Sequence, residues 1–217
     1  MKKKDNKKIA NADKKPSYHH GDLKAALLES AEVELSVKGI ETFSLRGVAK
    51  RTGVSHAAPA HHFGDTGGLL TALATEGFKR LVKIQKSRQQ LTKDDPSAQL
   101  ASLGLGYIDF AIKNAALFRL MFSSEKPNSL DEVFAATSDT AFDMLVDNIK
   151  NIKREIKPDE QAIMTDVMST WAIIHGLADL LIGGRSNLKI FLNNMNKSDR
   201  ERTLSNMILR GSLVVVR

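Results

Sequence analysis

The chain has no cysteine, one tryptophan, two tyrosines and five prolines among 217 residues. Without cysteine there is no disulfide scaffold, thiolate zinc site, cysteine nucleophile or iron–sulfur cluster, and the composition fits a reducing compartment. Long apolar runs are missing too. The most apolar stretch, 171–182, is interrupted by His175 and Asp179 and falls short of the roughly 20 residues that a spanning helix needs. No apolar segment follows the N-terminal lysines as it would in a secretory signal, so a cytoplasmic location without membrane attachment is expected. Strand-like composition is confined to residues 42–45, too few to make a sheet alone.

What is present suits a folded core: 42% of residues are hydrophobic and 26% charged, enough for one large domain or a small one plus a larger one. Lys and Arg number 32 against 25 Asp and Glu, and the net charge of +7 suits a polyanionic partner. Most of that excess lies at the start, where residues 1–15 carry seven lysines against Asp5 and Asp13. Residues 1–17 therefore read as a basic, disordered tail.

Between the prolines, apolar residues recur at helical spacing over stretches too long for strands, which predicts an all-α chain of about nine helices. Helix one starts near Leu23, buries a stripe through 26, 27, 31 and 35, and stops at Lys38-Gly39. Ser44 caps a short second helix to Arg51, and Ser55 caps a third ending near Phe63. Further helices are expected over 67–91, 97–115, 116–122, 129–156, 158–182 and 198–215, with Phe191 in a connecting segment.

The second and third helices are joined by Thr52-Gly53-Val54-Ser55, where Gly permits a sharp turn and Val54 plugs the angle. This spacing fits a helix-turn-helix, whose second helix enters a major groove while the first crosses the phosphates, and it equally fits an ordinary helical corner.

The ordered motifs Tyr18-His19-His20-Gly21-Asp22-Leu23, Phe43-Ser44-Leu45-Arg46-Gly47-Val48-Ala49, Gly53-Val54-Ser55-His56-Ala57-Ala58-Pro59, His62-Phe63 and Leu69-Leu70 resemble the TetR family of bacterial regulators. Trp171-Ala172-Ile173-Ile174-His175-Gly176 resembles the Trp…His-Gly signature of one subgroup's C-terminal domain. The resemblance implies a three-helix DNA-binding head over 18–64 and a larger helical ligand-binding and dimerisation domain over 65–217. It further implies a homodimer on a pseudo-palindromic operator in double-stranded DNA, a repressor that a small effector releases. Carried over by position, Ser44 and Arg46 meet phosphate or a groove edge, Ser55, His56, Ala57 and Ala58 face bases, and His61 approaches the backbone.

The chain departs from the family in places. Ala60 stands where the family usually has a phosphate-holding Tyr, and Thr66 where it usually has a Lys. Gly47 replaces the Glu that would complete a capping box with Ser44, and Gly67-Gly68 loosens the start of helix four, each helix-interior Gly costing roughly 1 kcal/mol. A second reading thus stays open, a TetR-like dimer with a degenerate head that acts as a ligand-binding or protein-interaction module. The lysine tail and the stripe Lys79, Lys83 and Lys86 are either compensating phosphate contacts or solvated surface.

In the C-terminal part, Trp171, His175 and Asp179 follow one another at four-residue steps on an apolar helix. They either pair with each other and a neighbouring helix or line a pocket. The aromatic residues around them form core or the wall of an apolar cavity, so Phe110, Phe122, Trp171 and His175 are the candidate ligand-binding residues, for a largely apolar small molecule. Leu204, Met207, Ile208 and Leu209 on the last helix, with helix eight, look like half of a four-helix dimer interface. Five of the six histidines fall between 19 and 62, but adjacent histidines diverge on a helix and no HExxH motif is present, so no metal is expected. No phosphate loop, nucleophile elbow or carboxylate pair points to catalysis or a cofactor, and the chain is not expected to be an enzyme.

Overall fold

Helix starts along this chain are set by short polar side chains that satisfy otherwise unpaired backbone N–H groups. Ser44, Asp65, Asp95, Asp131, Asp159 and Ser186 each accept a hydrogen bond from the backbone N–H three residues on. In the computed structural model, which describes residues 20–154, 158–184 and 186–213, ten helices follow. They are α1 (His20–Lys38), α2 (Leu45–Thr52), α3 (Ala58–Phe63), α4 (Thr66–Gln90), α5 (Pro96–Lys113), α6 (Ala115–Phe122), α7 (Glu132–Ile152), α8 (Glu160–Ile182), α9 (Asn187–Asn193) and α10 (Lys197–Leu213). The protein is all-α, with no strand among the described residues. The lysine tail expected over 1–17 lies outside them.

Three expectations are corrected. The tenth helix is α9, which contains Phe191; Ser186 caps it and Leu192 anchors it in the core, so seven residues suffice for a helix where a connecting segment was expected. Ser55 does not cap α3. Pro59, which lacks an N–H and has a fixed φ, sits in the first turn, and the helix begins at Ala58 with Ala57 before it and no side-chain cap. Helix α7 starts three residues later than expected, because Asp131 rather than Ser129 caps it.

Helix α4 runs through the middle of the molecule and packs against α1, α3, α5, α6 and α7. Its N-terminal half places Leu69, Leu70, Leu73 and Ala74 in one core with Leu27, Ala31 and Leu35 of α1 and Val48 of α2. That same cluster continues through Phe78 and Leu81 to Tyr107, Phe110, Phe118, Ile174 and Ile208. A second cluster of Leu100, Leu103, Leu145, Ile149, Ile163 and Val167 joins α5, α7 and α8. Polar ties reinforce these crossings. Arg88 of α4 donates from Nε to Asp109 of α5 at 3.0 Å and from its guanidinium to Glu201 of α10 at 3.0 Å, and a buried pair, Lys153 with Asp166, links the end of α7 to α8. Among the described residues no single helix is long and apolar enough to cross a membrane.

Two glycines read as weak points have steric reasons. A Cβ on Gly47 would lie 2.1 Å from Oε1 of Glu34, a buried carboxylate whose other oxygen accepts from Arg51 at 2.9 Å. The glycine thus leaves room for an ion pair that fastens α2 to α1. At Gly68 a Cβ would lie 2.0 Å from the Phe63 carbonyl oxygen, so α4 leaves α3 through a turn too tight for a side chain. Gly67, by contrast, would meet nothing closer than Asp65 Oδ1 at 3.2 Å.

Gly68→Ala is therefore predicted to destabilise the fold by about 1–3 kcal/mol, as overpacking against fixed backbone does. Gly67→Ala should be neutral or stabilising by up to about 1 kcal/mol. Urea unfolding of the two variants beside the wild type checks both, and equal losses would remove the turn as the cause.

Candidate functional site

The first candidate site is the pair α2–α3. Helix α2 begins at Ser44, whose extended backbone breaks the chain direction and whose Oγ accepts from Gly47 N at 3.1 Å. The Ser44 hydroxyl proton is left to donate outward. The helix ends at Gly53, in the left-handed region at φ 76°, with the Gly53 and Val54 N–H groups both donating to the Ala49 carbonyl. Val54 packs against the core beneath, Pro59 is buried and Phe63 half-buried, so the underside of the corner is fixed.

The upper side carries the residues singled out from the sequence. Arg46, Ser55, His56, Ala57 and His61 are exposed, while Ser44 and Ala58 are half-buried. Ser55, His56 and Ala57 lie in the turn before α3 rather than within the helix, and Ala58 and His61 lie on it. Ala60 is exposed on α3, and Thr66 is the first residue of α4. Arg51, which was not among the sequence candidates, is engaged with Glu34, leaving Arg46 as the cation at the start of α2. Of the lysine stripe, Lys79 pairs with Glu76 at 2.7 Å, and Lys83 and Lys86 are exposed.

The second candidate site is a cavity of about 210 Å³ between α4, α5, α7 and α8. Its wall includes Phe78, Tyr107, Phe122, Phe142 and Trp171 together with Gln85 of α4. Two of the four ligand-binding candidates, Phe122 and Trp171, line it. Phe110 is fully buried in the core and does not reach the wall. His175 stands behind the wall, its Nδ1 2.8 Å from the hydroxyl of Tyr107. The Trp171 ring lies beside this pair, its centroid 5.4 Å from that of His175.

Burial of the phenol pushes Tyr107 up, so it stays protonated, with the Trp171 indole acting the other way. Burial likewise pushes His175 below its ordinary 6.5, partly offset by the Asp179 carboxylate one turn on. Aromatic contacts complete the cluster, the His175 ring lying 5.3 Å from Phe118 and 5.5 Å from Phe122. Phe78 and Gln85 were not among the sequence candidates. The spacing of 78, 81 and 85 places Gln85 on the buried stripe of α4, and a polar residue on such a stripe is the signal that marks it.

Against this geometry, similarity to known proteins is informative. Residues 100–204 match the tetracyclin repressor-like C-terminal domain family. The chain is 30% identical over 94 residues to the HTH-type transcriptional regulator BetI of Yersinia pestis (strain Pestoides F), a stretch covering 43% of this chain and 48% of that protein. The match thus spans about half the length of this curated relative. Among solved structures, a protein of unknown function from Rhodococcus sp. RHA1 superposes with a TM-score of 0.72 at 28% identity, covering 91% of this chain and 98% of the other. The TetR family transcriptional regulator PfmR from Thermus thermophilus shares the fold, with a TM-score of 0.63 at 19% identity over 85% of this chain and 97% of that one.

The lowered His175 value has a signed consequence. A histidine held neutral on folding contributes stability in full above its unfolded value near 6.5, and that contribution is lost as pH falls through the folded value below it. Urea midpoints measured between pH 7.5 and 5 should fall for the wild type below about 6.5, and His175→Gln should not share that part of the fall. Parallel profiles would mean that His175 titrates freely.

Proposed function

We propose that the chain is a transcriptional regulator of the TetR family, a DNA-binding repressor that acts as a dimer and answers to a small molecule. The head spans residues 18–64, and the ligand-binding and dimerisation domain residues 65–217. The observation that carries this reading is the two-sided corner at α2–α3. Its underside is locked by Val54, Pro59 and the Glu34–Arg51 pair, while Arg46, Ser55, His56, Ala57 and His61 are each exposed. Arg46 and the Ser44 hydroxyl donate to phosphate at the start of α2. Ser55, His56, Ala57 and Ala58 approach base edges, where the small alanines allow close contact with thymine methyl groups.

The dimer forms through α8 and α10. Met164, Met168 and Trp171 are exposed on α8, while Leu204 and Ile208 of α10 are spent inside the chain and only Met207 and Leu209 remain partly accessible. The effector occupies the aromatic cavity, and the α4 helix, shared by the cavity and the head, carries its presence to the DNA. Operator binding places this function in the cytoplasm.

The test is selection from a pool of random duplexes at physiological salt, followed by sequencing of the bound fraction. An enriched inverted repeat, with half-sites about one helical turn apart (~34–36 Å) or a multiple of it, is predicted. Arg46→Ala should weaken binding to that repeat and reduce the dependence of log K on log salt by about one unit, the signature of one lost phosphate contact. Salt-sensitive binding without enrichment would favour a degenerate head, the reading that Ala60 and Thr66 keep open.

A further inference from the structure

The cavity between α4, α5, α7 and α8 has a polarity that selects its occupant. Gln85 forms part of the wall and is only 2% exposed. Its Nε2 donates to the Leu103 carbonyl at 3.3 Å, and since a carbonyl cannot donate, this contact fixes which way the amide lies. The Gln85 Oε1 is fully buried and accepts no hydrogen bond from the chain. A buried acceptor left without a donor is costly, and a ligand that supplies one recovers that cost.

The other polar groups of the wall have the same sense. The Ser138 hydroxyl donates to the Ala135 carbonyl at 2.8 Å and turns lone pairs to its surroundings. The Tyr107 hydroxyl pairs with His175 Nδ1 at 2.8 Å. Asp139, at an exposed position of the wall, is an acceptor as well. The wall thus holds one buried acceptor without a donor, Gln85 Oε1, and no lysine or arginine. Carboxylates and phosphates therefore meet no cation there.

Size narrows the class further. An apolar cavity of about 150 Å³ holds benzene, so about 210 Å³ suits a molecule of one or two rings, and the surrounding Phe78, Phe122, Phe142 and Trp171 suit ring-on-ring contact. The geometry points to a small aromatic molecule with an N–H or O–H donor, held by that donor on Gln85 Oε1, as the effector class. This rests on the cavity being the effector site of the proposed regulator.

Indole and benzofuran form a test pair of nearly equal shape in which an N–H is replaced by an ether oxygen. Isothermal titration of the full chain should show indole binding about ten- to a hundredfold more tightly, the range expected when an analogue leaves a buried acceptor unpaired. In Gln85→Met, which keeps the length and removes the acceptor, the preference should vanish. Equal affinities, no binding of either ring, or a preference that survives Gln85→Met would each overturn the inference, and the wild-type comparison stands even if the variant does not fold. Release of the selected operator by indole is read separately. Indole preference without release would support the donor-selective site and overturn its role as the effector site.

Discussion

The structure depends on one shared helix. Helix α4 contributes Leu69, Leu70, Leu73 and Ala74 to the core of the corner that carries the outward-facing residues, and Phe78, Leu81 and Gln85 to the cavity wall. Because the interior around it is close-packed, α4 does not bend freely between these two ends. In the proposed regulator, occupancy at one end would be felt at the other through the position of a single rigid rod. Asp65 and Gly68 fix the rod's start against α3, and Arg88, held by Asp109 and Glu201, fixes it near the far end.

The cavity gains its character from what the surrounding helices do with their polar groups. Tyr107 and His175 satisfy one another, which leaves a mostly aromatic wall with one buried, unpaired acceptor. Trp171 also belongs to the exposed face of α8 beside Met168, so the cavity wall and the proposed dimer surface meet at one residue. In the proposed dimer, a ligand that shifts Trp171 would act on α4 from inside and on the subunit contact from outside.

The parts of the fold that were legible in the sequence are those governed by local chemistry. Ser44, Gly53 and Lys38-Gly39 act within three or four residues, and the helices they bound stand where the pattern placed them. Local rules misled where two of them competed. Ser55 is a good capping residue, but Pro59 sets the start of α3 further on. The short α9 was missed because seven residues show too little periodicity to separate a helix from a loop. Gly47 and Gly68 looked like defects because their reasons, Glu34 and the Phe63 carbonyl, are contacts that no local pattern encodes. Helical spacing put both Phe110 and Phe122 inside, but only the packing of α4, α5, α7 and α8 decides that Phe122 faces a cavity and Phe110 a filled core. Gln85 was legible in principle, as a polar residue on a buried stripe.

The central claim is that head and body share one core through α4, and it can be measured without operator or effector. The chain has no cysteine and a single tryptophan, Trp171, in the body, so His56→Cys allows one fluorophore to be placed on the head alone. Urea unfolding followed by Trp171 emission and by the head label should give coincident midpoints and slopes, as a single cooperative unit does. A head transition at clearly lower urea would contradict the account, since α4 would then be a tether between two independent bodies.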